Sequence, residues 1–235
     1  MIKDKDFYNR ESGNYSAKRY PLVAKTYVQY FFKKRLSLVM AELKKLTENK
    51  KEQTLLEVGC ADGVVVREIG NYLGEQFGEI CGIDTAEEMI KTAREMTRNP
   101  KMHFAVRNQE ILDRTFDFLV EIGVANYTDF ESELVYAKEH LKRGGIYILS
   151  IAGKDSSNAY FGRGIGYQNF LSYSDYEEKI EKFFSIKSTL PVGLYFPFVW
   201  TFPFWGRIKQ PFLELFLKYF PNLSHEKVYI LVPKV

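Results

Sequence analysis

The stretch LLEVGCADGVVV, residues 55–66, decides the fold of this 235-residue chain. It runs from apolar residues into Glu57, passes through two glycines that flank short side chains, and becomes apolar again. A strand, a small-residue turn and a helix in this order are typical of an open parallel sheet, in which ligands bind beyond the carboxyl ends of the strands. Small side chains let a ligand approach backbone N–H groups and the start of the next helix. The stretch therefore predicts a ligand-binding turn.

The composition is that of a globular protein. Hydrophobic residues make up 46% and charged residues 27%, which argues against disorder. The net charge of +3 is too small to indicate a nucleic-acid partner. The two cysteines, Cys60 and Cys81, are too few for a disulfide framework or a zinc cluster. Because the polar start at residues 1–16 is neither a signal peptide nor a transmembrane segment, we expect a cytoplasmic protein.

Strand-like and helix-like patterns alternate along the chain. A helix is expected at 26–48, and a capping box at Thr85 and Glu88 is expected to start the helix at 85–98. Such alternation predicts βαβ units and a parallel sheet that is covered on both faces. The expected strands are 54–59, 79–84, 102–107, 116–123, 144–152, 185–192 and 226–235, and the other expected helices are 63–74, 131–142 and 172–184.

The predicted fold class is therefore α/β, with a doubly wound, mostly parallel seven-stranded sheet. We divide the chain, as one domain, into three parts. Residues 1–50 form an N-terminal lid and helix, and residues 51–152 form the cofactor-binding core. Residues 153–235 form the acceptor side, with an aromatic-rich insertion before the last strand.

Two phosphate-binding motifs are missing from the turn. A dinucleotide-binding turn needs three glycines, but the corresponding positions hold Gly59, Ala61 and Val64. A P-loop would need Gly-Lys-Ser or Gly-Lys-Thr, which does not occur there. Phosphate binding, and with it a nucleotide-dependent oxidoreductase, is therefore a poor interpretation of this turn.

The residues EVGCADG at 57–63, followed by GID at 82–84, resemble class I S-adenosylmethionine-dependent methyltransferases. Order and spacing agree over about residues 50–152. Ala61 stands where the family usually has glycine, which is a mild departure. The layout is also similar, more loosely, to bacterial methyltransferases that act on small molecules, including sugars of surface polysaccharides. The resemblance implies S-adenosylmethionine as the cofactor and S-adenosyl-L-homocysteine as its product.

The resemblance also implies roles for single residues. Asp84 would accept hydrogen bonds from the ribose hydroxyls, and Asn108, where the family commonly has Asp, would contact the adenine amine. Tyr15 and Tyr20 would close the pocket as part of the lid, unless they only pack the first long helix against the sheet. The cofactor-binding residues expected on this basis are Glu57, Gly59, Cys60, Ala61, Asp62, Asp84, Thr85, Asn108, Gln109, Ile122, Tyr15 and Tyr20.

The sequence identifies the catalytic residues less clearly than the cofactor-binding residues. Tyr127 and Asp129 follow the fourth strand, where cofactor and acceptor meet in the family, and either could be a general base. Unlike an alcohol, an amine or carboxylate acceptor can react without a base. The alternative for these residues is a surface loop with Asp129 as a helix cap. His103, His140 and His225 are scattered along the chain, so neither a metal site nor a catalytic triad is indicated.

The segment 190–220 is rich in aromatic residues. Prolines interrupt its uncharged part, 190–206, which is too short to span a membrane. The segment could be a cap over the acceptor pocket, a homodimer surface or a peripheral membrane contact. Core packing combined with an oligomer contact is the interpretation that the sequence favours.

The function expected from the sequence is methyl transfer to a small-molecule or lipid-linked acceptor, at oxygen, by in-line displacement. The alternative is a catalytically inactive methyltransferase-like binding or assembly subunit, against which the intact Asp84 and glycine turn count. No Asn-Pro-Pro-Tyr type of motif follows the fourth strand, so no nucleic-acid acceptor is expected.

Overall fold

Seven strands form one sheet in the computed structural model, which describes residues 5–107, 114–161 and 170–234. The strands are β1 Gln53–Val58, β2 Phe77–Asp84, β3 Met102–Val106, β4 Phe116–Ile122, β5 Leu141–Ile151, β6 Phe184–Val192 and β7 Glu226–Pro233. Their order across the sheet is β3-β2-β1-β4-β5-β7-β6.

Helices connect these strands. They are α1 Lys5–Glu11, α2 Tyr15–Arg19, α3 Tyr27–Leu46, α4 Val64–Leu73, α5 Glu87–Met96, α6 Phe130–Glu139, α7 Ser157–Phe161, α8 Tyr173–Phe183 and α9 Pro203–Glu214. None of the described helices combines the length and apolar character that crossing a bilayer requires.

The sheet confirms the predicted fold class. β1 pairs in parallel with β2 and with β4, and β3 and β5 continue the parallel part on either side. β7 runs antiparallel to both β5 and β6. The chain reverses its direction of travel across the sheet between β1 and β4, and a crevice at the carboxyl ends of the strands is expected at such a point.

The core has two layers, one on each face of the sheet. Neighbouring strand residues point to opposite faces, so Leu55 and Phe118 pack with α3, α4 and α5, whereas Leu56 and Leu119 pack with α6 and α8. Because both faces are covered, the central strands are apolar without alternation, as the sequence shows.

The predicted capping box is wrong. α5 begins at Glu87, after Ala86, and no side chain within the helix caps it. The Asp84 carboxylate already accepts the N–H of Ala86, and Oδ1 of Asn9 accepts the N–H of Glu88 at 3.2 Å. A residue of the N-terminal segment, which is distant in sequence, therefore supplies a capping hydrogen bond to α5.

The helix expected at 131–142 ends earlier than predicted. α6 stops at Glu139, and Leu141 pairs with Phe116 in the sheet while Ile146 pairs with Phe118. The basic and glycine residues between them form an irregularity in β5 rather than a helix end. Burial of Leu141 against the neighbouring elements outweighs the local helix-ending signal.

The expectation that the aromatic segment packs into the core is correct only in part. Val192, Leu194 and Leu217 are buried, and Trp200 packs against Tyr30 at 5.5 Å between ring centroids. Most of the other large apolar side chains from Phe196 onward are exposed. Helix α9 is too short and too peripheral to bury more than one of its faces.

Candidate active site

The turn after β1 has a backbone that demands small residues. Gly59 has a φ of 73°, and a Cβ added there would lie 2.2 Å from Cγ2 of Val124. Ala61 has a φ of 48°, in the left-handed region where glycine is favoured. The N–H groups of Gly59 and Cys60 both donate to the Ile83 carbonyl, at 2.7 and 3.0 Å. The turn is thus fixed to the end of β2.

Asp84 is the polar centre of this region. Its Oδ2 accepts the N–H of Ala61 and its Oδ1 the N–H of Ala86, each at 2.9 Å. Burial raises the pKa of Asp84, and these backbone donors oppose that rise. A carboxylate offers roughly four acceptor sites, so both oxygens keep capacity for donors from a diol.

A cavity of about 320 Å³ lies at the carboxyl ends of β1, β2 and β4, and we call it the first cavity. Its volume is in the range of pockets for small ligands. Its wall consists of Lys5, Tyr8, Tyr15, Gly59, Ala61, Asp84, Thr85, Arg107, Ile122, Gly123, Val124, Tyr127 and Thr128.

Six of the residues expected at the cofactor line this cavity, and four others lie elsewhere. Lining it are Gly59, Ala61, Asp84, Thr85, Ile122 and Tyr15. Among the described wall residues, Glu57, Cys60, Asp62 and Tyr20 do not occur. Asn108 and Gln109 lie outside the described residues.

Glu57 and Asp62 are buried behind the turn. Burial raises the pKa of Glu57 to about 8, and the nearby Asp84 adds to this rise. Asp62 accepts hydrogen bonds from the N–H of Ser16, at 2.9 Å, and from the Ser16 hydroxyl. Tyr20 packs edge-on against Phe32 of α3, in agreement with the alternative of helix packing. The structure thus gives Asp62 a role in holding the N-terminal segment.

The N-terminal segment covers the first cavity. Tyr8 and Tyr15 form part of its wall, and Lys5 makes an ion pair with Glu87 at 2.8 Å. Asn9 accepts a hydrogen bond from Glu88, and Ser16 donates to Asp62. Together with the ion pair, these bonds attach the segment to the core at three separate points. Sequence reasoning missed Tyr8, since no motif distinguishes it from other aromatic residues.

A second cavity of about 150 Å³ adjoins the first. The two share wall residues from the N-terminal segment, from the end of β4 and from the turn that follows it. The shared residues are Tyr8, Tyr15, Ile122, Gly123 and Tyr127. The remainder of the second wall is Arg19, Phe31, Phe32, Arg35, Asn126, Ala152, Phe170, His225 and Glu226.

A buried ion pair forms one side of the second cavity. Nη1 of Arg35 lies 2.8 Å from each carboxylate oxygen of Glu226, and the Ser150 hydroxyl donates to the same carboxylate. Although burial alone would raise it, the charge of Arg35 holds the pKa of Glu226 below its usual value. Glu226 therefore stays ionised at neutral pH.

His225 lies in the wall of the second cavity. Its ring stacks on Phe31 at 3.9 Å, and its Nδ1 is 3.2 Å from the Tyr27 hydroxyl. Burial lowers the pKa of His225 to about 4, so its imidazole is neutral at pH 7. Sequence reasoning missed this residue, because its partner Tyr27 is 198 positions away.

The two expected catalytic residues have different environments. Tyr127 lines both cavities with 57% of its area exposed, and its partial burial raises its pKa to about 12, so it remains a phenol at neutral pH. Asp129 precedes the first residue of α6, is exposed, and accepts a hydrogen bond from the Ser132 hydroxyl. Within the described part of the two walls, Asp129 is absent.

Comparisons with known proteins agree with this geometry. A family model for a methyltransferase domain matches residues 56–147. No curated protein sequence matches the chain.

Three solved structures illustrate the similarity. Magnesium protoporphyrin IX methyltransferase from Synechocystis PCC 6803, with bound S-adenosylhomocysteine, is 13% identical, with a TM-score of 0.68 and 98% of each chain covered. The plantazolicin methyltransferase BpumL, in complex with a pentazolic desmethylPZN analog and S-adenosylhomocysteine, is 20% identical, with a TM-score of 0.62, 99% of this chain and 93% of that chain covered. The methyltransferase domain of bacterial CtHen1 is 15% identical, with a TM-score of 0.59, 85% of this chain and 97% of that chain covered.

These structures share the fold of this chain, and two of them contain bound S-adenosylhomocysteine. The matched residues 56–147 run from β1 into β5 and contain the turn, Asp84 and the end of β4. Residues 56–147 of this chain therefore match a methyltransferase domain, and its fold is similar to that of the Rossmann-like, S-adenosylmethionine-dependent methyltransferases.

Proposed function

We propose that this protein transfers a methyl group from S-adenosylmethionine to an oxygen atom of a small-molecule or lipid-linked acceptor. The observation that supports this most directly is the shared wall of the two cavities. The first cavity has the glycine turn and Asp84, and the second has charged and polar groups for another molecule. Because the two cavities share these residues, reactants held in them would lie side by side, which favours direct transfer between them.

The residues of the first cavity fit the cofactor. Asp84 would accept from the ribose hydroxyls, and the Gly59–Ala61 backbone would contact the amino-acid tail. Tyr8 and Tyr15 would cover the bound molecule and keep water out. When bound, S-adenosylmethionine supplies a methyl group on a positively charged sulfur, which an acceptor oxygen displaces in line while the bonding electrons stay with the sulfur.

The charges of the second cavity favour an acidic acceptor oxygen. Two guanidinium groups, those of Arg19 and Arg35, and one carboxylate, that of Glu226, line it. The neutral imidazole of His225 is a weak base at a pKa of about 4, and Tyr127 keeps its proton. A carboxylate acceptor needs no base and is attracted by the net positive charge of this wall, in which Glu226 neutralises Arg35, whereas a hydroxyl would have to give its proton to His225 or Glu226. Tyr127 would position the acceptor by donating a hydrogen bond, and a base role of Asp129 stays a prediction.

The alternative is a catalytically inactive binding or assembly subunit. The ordered turn and the oriented Asp84 carboxylate favour the enzyme, since both are arranged toward the first cavity. Homodimer formation and a cytoplasmic location also stay predictions. A lipid-linked acceptor and a peripheral position at the membrane depend on the surface of the aromatic segment.

Thermal unfolding with S-adenosylhomocysteine tests the cofactor. A ligand that binds only the folded state stabilises it by about 2.7 kcal/mol at a hundred times its dissociation constant. We expect this shift with the product, none with NADH, and none in an Asp84→Ala variant. Asp117→Ala is the matched control, because Asp117 bonds Thr54 and Lys142 away from the cavity. A wild-type protein that S-adenosylhomocysteine does not stabilise contradicts cofactor binding.

The acceptor atom can be tested before the acceptor is identified. The protein is incubated with methyl-labelled S-adenosylmethionine and a small-molecule and lipid extract, and the labelled product is treated with alkali. A methyl ester releases labelled methanol, whereas a methyl ether or methylamine does not. Release of methanol is the expected result. Stable label assigns a hydroxyl or amine acceptor, and absence of label together with product binding favours the inactive subunit.

A further inference from the structure

An aromatic surface extends over the segment that precedes β7. Its members are large apolar side chains with more than a third of their area exposed, in a loop, in α9 and in the short turns after it. They are Phe196, Phe198, Phe202, Phe204, Trp205, Ile208, Phe212, Leu215, Phe216, Tyr219, Phe220 and Leu223. Contiguous exposed apolar patches of this kind mark binding surfaces for proteins or membranes.

The inward side of this segment is firmly attached. Nε1 of Trp200 donates to the side chain of Gln210, whose Nε2 donates to the Leu194 carbonyl at 2.6 Å. Nη1 of Arg207 donates to the Ala24 carbonyl at 2.9 Å. Helix α9 therefore has a bonded inner side and an apolar outer side, and rotation of the segment inward would break these contacts.

The charges on the aromatic surface have one sign. Glu214 is the one carboxylate among residues 193–223, and its side chain is 10% exposed and lies 3.5 Å from Lys34. The exposed charged groups are Lys209 and Lys218, whose ammonium groups lie over the rings of Trp205 and Tyr219. Aromatic side chains with neighbouring lysines match the interface of a bilayer that carries anionic headgroups.

Phe198 has the most unusual conformation on this surface. Its φ is 70°, in the left-handed region, and its side chain is 89% exposed. This backbone conformation is costly for a bulky residue, and a side chain so exposed gains little from packing within the chain. The Phe198 carbonyl accepts from the N–H and the hydroxyl of Thr201, but its ring has little packing within the chain, and a strained residue of this kind is a reason to look for an external partner.

We propose that the aromatic surface docks on anionic lipid bilayers, with Phe198 inserted at the boundary between headgroups and acyl chains and Lys209 and Lys218 facing the headgroups. The surface lies beside the second cavity. Tyr195 packs against Tyr27 at 5.1 Å, and Tyr27 contacts His225 in the cavity wall. Docking therefore brings the second cavity, which the proposed function assigns to the acceptor, close to the bilayer, where a lipid-linked molecule can reach it.

Vesicle co-sedimentation without cofactor tests the proposal. Phosphatidylcholine vesicles are compared with vesicles that also contain phosphatidylglycerol, at low and high salt. We expect binding to the anionic vesicles that weakens at high salt. Phe198→Gly should weaken it about tenfold, since a phenylalanine side chain leaves the apolar phase. Val135→Ser, an exposed apolar position on α6, is the matched control and should leave binding unchanged.

Two further measurements separate docking from a structural role. Glycine relieves the backbone of Phe198, so the Tm of Phe198→Gly should equal or exceed that of the wild type, whereas a packing role predicts a lower Tm. Lys209→Glu with Lys218→Glu should remove the preference for anionic vesicles.

Three results overturn the proposal. The first is no binding of the wild type to either kind of vesicle. The second is unchanged binding by Phe198→Gly. The third is a dimer, measured by light scattering, that Phe212→Ser disperses, since it assigns the surface to a second copy of this chain. Because the vesicle assay contains no cofactor, its failure leaves the proposed methyl transfer standing.

Discussion

Ser16 donates both its backbone N–H and its hydroxyl to Oδ2 of Asp62, 46 positions further along the chain. Asp62 is buried in the turn after β1, and Ser16 lies in α2 beside Tyr15 of the first cavity. The carboxylate therefore connects the segment that covers the cavity with the turn that forms its floor. Closure of the cavity and order of the turn are expected to depend on each other.

A Ser16→Ala variant tests this connection. The hydroxyl donor is lost and the amide donor remains, which should weaken docking of the N-terminal segment by about 1–3 kcal/mol. We expect faster proteolysis within residues 5–26 and weaker binding of S-adenosylhomocysteine by calorimetry. Ser12→Ala is the control, because the Ser12 hydroxyl donates to the nearby Asn9 carbonyl and not to the turn. Equal affinity in both variants would show that the Ser16 hydroxyl does not contribute to the cofactor site.

Gly59 and Gly144 form a matched pair for the turn. Both have φ near 75°. A Cβ added at Gly59 would clash with Val124, whereas a Cβ added at Gly144 would have no described atom within 4 Å. Gly144→Ala should cost about 1–2 kcal/mol through its backbone alone. Gly59→Ala should cost about 1–3 kcal/mol more, because the added methyl group is overpacked. Urea unfolding measures the difference. Equal losses would mean that the turn can move away from Val124.

The Arg35 and Glu226 pair should show strong coupling. Arg35→Met leaves a buried carboxylate without its cation, which should destabilise the fold by about 3–5 kcal/mol. Adding Glu226→Leu should recover a large part of this loss, since two apolar side chains need no partner. A double-mutant cycle from urea unfolding measures the coupling. Additive losses would show that Ser150 and the surrounding groups stabilise Glu226 without Arg35.

Glu121 makes stability depend on pH. Burial, together with Glu133, raises its pKa from 4.5 to about 8, and its Oε2 accepts from the Tyr147 hydroxyl at 2.5 Å. The native state therefore keeps a proton that the unfolded state releases above pH 4.5. The stabilisation that this bound proton gives the native state is fully present below pH 4.5 and is lost as the pH rises toward about 8.

A Glu121→Gln variant should remove this dependence. Its stability should match that of the wild type near pH 5 and exceed it near pH 8, because glutamine stays neutral. Glu139→Gln, at an exposed position of α6, is the control. Melting temperatures from pH 5 to 9 measure both. A variant less stable than the wild type at pH 8 would contradict a raised pKa.

The region around β1 was predictable because its information is local. The apolar run, the glycines and the acidic end of β2 lie within 30 residues of sequence. A strand followed by a turn with left-handed backbone requires small residues whatever the distant parts of the chain do. For this reason the sequence could predict that Asp84 and the turn lie together, whereas their contact with a cofactor stays a prediction. The capping box at Thr85 was wrong because Asn9, from a different part of the chain, supplies the cap.

By itself, the sequence determined the alternation of strands and helices, the parallel sheet and the first cavity's turn, since these follow from periodicity and backbone sterics. The tertiary structure alone decided the second cavity, where Arg19, Arg35 and His225 meet from α2, α3 and the segment before β7. It also decided that the aromatic segment faces outward. Burial and charge pairing depend on which residues that are far apart in the sequence become neighbours in the fold, and local sequence patterns do not contain this information.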